Sequence, residues 1–127
     1  MRPSPLFLAF AAVSALQAQV TVPALDPAGL AATLKSRTWV IIEFGGPSCV
    51  PCVRMQPILG ELQAHFGTRA LVRNFYVTQH PAEARAHKVM AMPTQVVFDP
   101  SGKEVARHIG FWPKADFLEA LGKAGLK

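Results

Sequence analysis

Apolar positions along the chain follow two rhythms. Trp39-Val40-Ile41-Ile42 stand in an unbroken row, and Thr38 to Phe44 is rich in β-branched and aromatic residues, so this stretch predicts a central strand buried on both faces. From Val50 onward the spacing changes. Val53, Met55, Ile58, Leu59, Leu62 and Phe66 recur at helical intervals, which predicts a helix to Phe66, kinked by Pro57 and closed by Gly67-Thr68. Ahead of the strand, Asp26-Pro27 reads as an N-cap followed by proline at the first helical position. That helix is predicted to run to about Arg37, with Leu30 and Leu34 on its apolar stripe. Gln19 to Pro23 reads as a short edge strand.

The second half continues the alternation. Leu71 to Val77 predicts a strand, Pro81 to Lys88 a short helix, and Gln95 to Phe98 another strand. Asp99-Pro100-Ser101-Gly102 is a turn sequence, so Glu104 to Ile109 should return as the antiparallel partner. Gly110 follows, and a last helix from Pro113 carries Phe117, Leu118 and Leu121 on one face. The order β-α-β-α-β-α-β-β-α predicts an α/β domain whose mixed sheet has helices on both faces.

The first residues stand outside this pattern. Arg2 precedes an apolar stretch from Leu6 to Ala18 that ends in small residues, the layout of a secretory signal peptide. Cleavage is expected after Ala18, with Ala15 as the other site. The alternative is an uncleaved N-terminal membrane anchor, but this stretch is shorter than the ~20 residues that span a bilayer. The expected organisation is a signal peptide over 1–18 and one domain over 19–127, placed in the periplasm or cell envelope. The net charge of +5 is spread over several elements without interleaved aromatics, which argues for a solvated basic surface and against nucleic acid as a partner.

The chain has two cysteines, Cys49 and Cys52, placed where the central strand hands over to the long helix. Export makes a disulfide permissible. As a staple such a pair is nearly useless, because closing so short a loop restricts the unfolded chain little. A zinc site needs about four ligands, and the nearest histidine in sequence, His65, stands alone. Thiol–disulfide exchange is therefore the leading reading, with a metal site and an inert pair behind it. Met55, Met90 and Met92 read as core filling or docking surface in preference to copper ligands. His65, His80, His87 and His108 read as surface residues, and Trp112 as cover for a patch near Gly110 or a stop for the last helix.

Gly46-Pro47-Ser48-Cys49-Val50-Pro51-Cys52, Pro57 five residues after the second cysteine, Met92-Pro93-Thr94 before an apolar strand, and Gly110 after the last strand together resemble the thioredoxin family. The likeness spans about residues 25–125. It implies a thioredoxin fold and a thiol–disulfide oxidoreductase without a cofactor or metal. Cys49 is then the exposed nucleophile, its thiolate favoured by the amides of the helix start. Cys52 is the buried resolving thiol, and Pro51 fixes the backbone between them. Pro93, cis as in the family, and Met92 would line the substrate edge. Glu43, which interrupts the apolar strand, matches the family's buried acid and is expected to accept the proton of Cys52.

Three positions depart from the family pattern. Ser48 replaces the aromatic before the first cysteine, Gly45 replaces a tryptophan, and Asn74 replaces the basic partner of the buried acid. These point away from the usual cytoplasmic reductase and toward a less tethered acid. No histidine lies between the cysteines, which leans toward a reductant. The expected function is reduction of protein disulfides by a monomer, with re-reduction by a membrane thiol relay of the DsbD or CcdA kind that the resemblance and the signal peptide imply. The alternatives are a disulfide-donating oxidase and a copper or zinc chaperone using the same thiolates.

Overall fold

The computed structural model describes residues 21–127, so the signal peptide expected over 1–18 and its cleavage sites lie outside the described residues. In chain order the elements are β1 (Ala24–Leu25), α1 (Pro27–Leu34), β2 (Trp39–Gly45), α2 (Val50–Phe66), β3 (Ala70–Tyr76), α3 (Pro81–Ala86), β4 (Thr94–Phe98), β5 (Glu104–Ile109) and α4 (Lys114–Ala124). The sheet order is β1-β3-β2-β4-β5. β1 and β2 flank β3 in parallel, whereas β4 is antiparallel to both β2 and β5. This is the mixed sheet expected, with β2 at its centre.

The two faces of β2 feed separate cores. Val40, Ile42 and Phe44 pack with Leu30, Phe75, Val96 and Phe98. Ile41 points the other way, into a cluster with Met55, Leu59 and Leu62 of α2 and Phe117 and Leu121 of α4. Because side chains alternate along a strand, Glu43 shares the face of Ile41 and lies beneath α2.

Several boundaries shift from the sequence expectation. Among the described residues the first strand is Ala24–Leu25, because pairing with Asn74 and Phe75 of β3 decides where it forms. Of the strand expected over Gln19–Pro23, residues 21–23 are not in a strand and residues 19–20 lie outside the described residues. α1 begins where Asp26 caps it, the carboxylate accepting from the Gly29 amide at 2.6 Å, but it stops at Leu34. Arg37 then takes φ 59°, a left-handed conformation that turns the chain into β2. Lys88, at φ 56°, likewise lies beyond the end of α3. α2 continues through Pro57.

Candidate active site: a disulfide over a buried carboxylate

Cys49 and Cys52 are joined in a disulfide, with Cα atoms 5.1 Å apart. Cys49 is the N-cap of α2 in extended backbone, and its sulfur accepts a hydrogen bond from the Cys52 amide at 3.4 Å. Its carbonyl accepts the first helical bond, from Val53 at 2.9 Å. A sulfur at this position receives donors that would otherwise be unpaired, together with the positive end of the helix dipole, and both favour its thiolate. Cys49 is half-buried, whereas Cys52 is 2% exposed. Pro51, in the first turn, has no amide to leave unsatisfied. The two sulfurs thus differ in access: an incoming disulfide can reach the first, and the second can reach only the first.

Below the disulfide lies Gly45. A Cβ on Gly45 would stand 2.9 Å from the Cys52 sulfur and 3.6 Å from Cγ of Glu43. Cys52 and Glu43 therefore both border the space over Gly45, whose backbone carries no side chain to fill it. Glu43 is fully buried, and burial pushes its carboxyl up to about 7, against the opposing pull of hydrogen bonds from Gln95 and Gln56. A buried carboxyl titrating near neutrality can take a proton from a thiol and return it.

The carboxylate is gripped at both oxygens. Gln56 donates to Oε2 at 3.0 Å and Gln95 to Oε1 at 3.1 Å. Asn74 reaches Glu43 only through Gln56. The two amides pair reciprocally, Gln56 Nε2 to Asn74 Oδ1 at 3.1 Å and Asn74 Nδ2 to Gln56 Oε1 at 2.8 Å, and Asn74 is itself anchored on the Val22 carbonyl. The expectation of a loosely tethered acid is corrected: losing a basic partner at Asn74 is offset by two glutamines. Gln95 also donates to the Gly110 carbonyl at 3.2 Å.

The bond between Met92 and Pro93 is cis. Pro93 is buried and its carbonyl accepts from the Gly110 amide at 2.8 Å. The Met92 sulfur lies 3.6 Å from where a Gly46 Cβ would stand, so this segment runs directly beside the loop that leads to Cys49. Val50, Val53, Met90, Met92 and Ile109 are exposed large hydrophobics, and each belongs to a segment that bears the cysteines, Pro93 or the end of β5 that pairs with Thr94. They leave apolar side chains exposed on the segments that carry the cysteines and Pro93.

The sequence profile of the thioredoxin family matches residues 22–123. The chain belongs to the thioredoxin family. It is 34% identical to the thioredoxin of Staphylococcus aureus over 83 residues, 65% of this chain and 79% of that one, with the same match in strain COL and several others. Among solved structures it superposes on chloroplastic thioredoxin z with a TM-score of 0.74, covering 85% of this chain and 97% of the other, at 24% identity. That likeness supports the fold alone. The chain is thus a thioredoxin-family redox protein carrying a Cys-x-x-Cys disulfide.

Within this thioredoxin domain, Cys49, Cys52, Glu43, Pro51, Met92 and Pro93 come from three separate stretches of sequence and converge at one end of the central strands. Gln56 and Gln95 escaped the sequence reading. Their signal was present: Gln95 opens an otherwise apolar strand, and Gln56 follows Cys52 by four residues, on the same helical face. The histidines also need correction. Only His65 is exposed. His80 lies against Phe75 and His87 against Phe44 and Phe98, while His108 stacks on Trp112. Trp112 is itself buried against Phe117 and donates its amide to the Met55 sulfur at 3.2 Å, so both residues belong to the core. Among the described residues no three His, Cys, Asp or Glu side chains converge to hold a metal ion.

Proposed function

We propose that this thioredoxin-family protein is an exported reductase of protein disulfides in the cell envelope, acting as a monomer. The observation that carries the reading is the unequal exposure of two sulfurs at one helix start above a buried carboxyl. The Cys49 thiolate attacks a substrate disulfide, forming a mixed disulfide and releasing one substrate thiolate. Glu43 takes the proton of Cys52, whose thiolate then attacks the Cys49 sulfur and expels the second substrate thiolate. The substrate gains two electrons, the Cys49–Cys52 disulfide forms, and the proton on Glu43 leaves to the departing thiolate or to water. The Met92 backbone before Pro93, with Val50, Val53 and Met92 exposed on the segments that carry the cysteines and Pro93, offers an edge for an extended polypeptide.

Export is inferred from the apolar stretch behind Arg2. A chain working outside the cytoplasm needs a source of two electrons per turnover, which a membrane thiol relay of the DsbD or CcdA kind supplies. Reduction is favoured over donation because only Val50 and Pro51 lie between the cysteines, leaving no imidazolium there to hold Cys49 as an unusually stable thiolate.

The test is a trap. Cys52→Ser, expressed in the native envelope, should accumulate mixed disulfides through Cys49, and Cys49→Ser should not. If Cys49 stays reactive to an alkylating agent yet no partner accumulates, the catalytic reading fails. Titration in glutathione buffers decides direction. A reductase should lie nearer the thioredoxin value of about −270 mV than the strongly oxidising value of about −120 mV.

A further inference from the structure

Gln56 and Gln95 carry no charge, yet they reach the buried carboxylate from two different elements. Gln56 comes down from α2 and Gln95 across from β4, each on its own carboxylate oxygen. We propose that Gln56 and Gln95 are positioning residues for disulfide exchange: they hold the Glu43 carboxylate beneath Cys52, and Gln95 joins that carboxylate to the Gly110–Pro93 edge. The inference rests on the reading of Cys49 and Cys52 as an exchange centre with Glu43 as its proton acceptor.

The surroundings leave these amides in control. Asn74 of β3, Glu43 of β2, Gln95 of β4 and His108 of β5 lie opposite one another in adjacent strands, and form one row across the sheet. The titratable groups facing Glu43 are Cys52 from α2 and, two strands away, His108. No charged side chain contributes to the shift of Glu43; burial raises it, and the two glutamine bonds lower it. Each donor stabilises the ionised carboxylate, so removing either should make Glu43 hold its proton to higher pH.

One atom of the network has no partner. Gln95 Oε1 is buried without a hydrogen bond, whereas Nε2 of the same carboxamide serves both Glu43 and the Gly110 carbonyl. This arrangement suits an ionised Glu43. When Glu43 takes the proton of Cys52 it becomes a donor, and a half-turn of the Gln95 carboxamide presents Oε1 to accept it. The same half-turn releases the Gly110 carbonyl, whose own amide holds the Pro93 carbonyl. Proton arrival at Glu43 accompanies formation of the Cys49–Cys52 bond and expulsion of the substrate thiolate.

The experiment follows the Glu43 carboxyl by carbon NMR in the oxidised protein, where neither cysteine titrates and the midpoint belongs to Glu43 alone. The wild-type midpoint should lie near 7. Gln95→Met and Gln56→Met should each raise it by about one unit, a tenfold change in the ratio of protonated to ionised acid. The pH–rate profile of exchange should move with it, which loss of packing alone would not cause. The Gln95 side-chain amide signal should titrate with the same midpoint and cease to do so in Glu43→Gln. If Gln95→Met does not fold, Gln56→Met, at a half-buried helix position, carries the test. A wild-type midpoint near 7 that neither variant moves overturns the positioning inference and leaves the exchange centre standing. A wild-type midpoint in the ordinary carboxylate range, with Glu43→Gln exchanging at the wild-type pH, overturns the role of the acid and this inference with it. Failure of the Cys52→Ser trap overturns the exchange centre separately.

Discussion

Replacing Glu43 by glutamine keeps the shape of the side chain and removes one titrating proton from the interior, and the consequence for stability can be worked from the structure. The carboxyl titrates at 4.5 when unperturbed and at about 7 in the folded protein. Below pH 4.5 both states hold the proton, and burial of the acid carries no charge penalty. Between pH 4.5 and about 7 the unfolded chain has released a proton that the folded chain retains, so folding stability falls as pH rises through this window. Above about 7 both states are ionised and the penalty is constant. At 1.36 kcal/mol per unit, the shift corresponds to about 3 kcal/mol. Glu43→Gln does not lose this stability. Its amide group faces one of the two glutamine donors with another donor, which adds a cost independent of pH. The difference in unfolding free energy, variant minus wild type, should therefore rise by about 3 kcal/mol from pH 4.5 to pH 8 and then level off. Urea denaturation of both oxidised proteins across that range measures it, and every other titrating group cancels in the difference. A difference that stays flat with pH would refute the reasoning, since it would mean that Glu43 is not destabilised as an anion by its burial.

Two further substitutions probe the frame around the site. Gly45→Ala places a methyl group 2.9 Å from a Cys52 sulfur that the disulfide holds in place, and overpacking of this kind costs about 1–3 kcal/mol. The reduced thiol can turn away, so the oxidised form should suffer more. A differential of about 1 kcal/mol raises the reduction potential by roughly 20 mV, to be read by glutathione titration, and an unchanged potential would show that the sulfur is not confined there. Asp26→Ala removes the side-chain cap of α1 and should lower stability by about 1 kcal/mol in urea denaturation, with disulfide exchange unaffected, because α1 packs in the core on the opposite sheet face from Glu43.

Much of this architecture is written in short-range pattern. The β-branched run at Val40-Ile41-Ile42, the helical spacing from Val53 to Phe66 and the Asp26-Pro27 cap each specify their element locally, because propensity, periodicity and capping act over a few residues. The two cysteines, the acid in the strand and the Pro93 segment could be picked out for the same reason: each is an unusual residue in a recognisable local context. Boundaries were less legible. α1 ends at Leu34 because Arg37 must turn the chain into β2, and β1 forms at Ala24–Leu25 because β3 offers its edge there. Neither requirement is visible in the residues that obey it.

What the tertiary structure alone decided is the setting of the acid. Glu43, Gln56, Asn74 and Gln95 are separated by as many as 52 positions, and no local rule links two glutamines to one carboxylate. Strand register brings Asn74 and Gln95 to either side of Glu43, and packing of α2 on the sheet lowers Gln56 onto it. Burial then makes the ionised carboxyl costly, and the same burial makes each amide donor count. The sequence by itself determined that two thiols stand at a helix start above an acidic strand residue. Only the fold determined how that acid is held, because hydrogen bonds between distant side chains exist only after the chain has brought them together and excluded water.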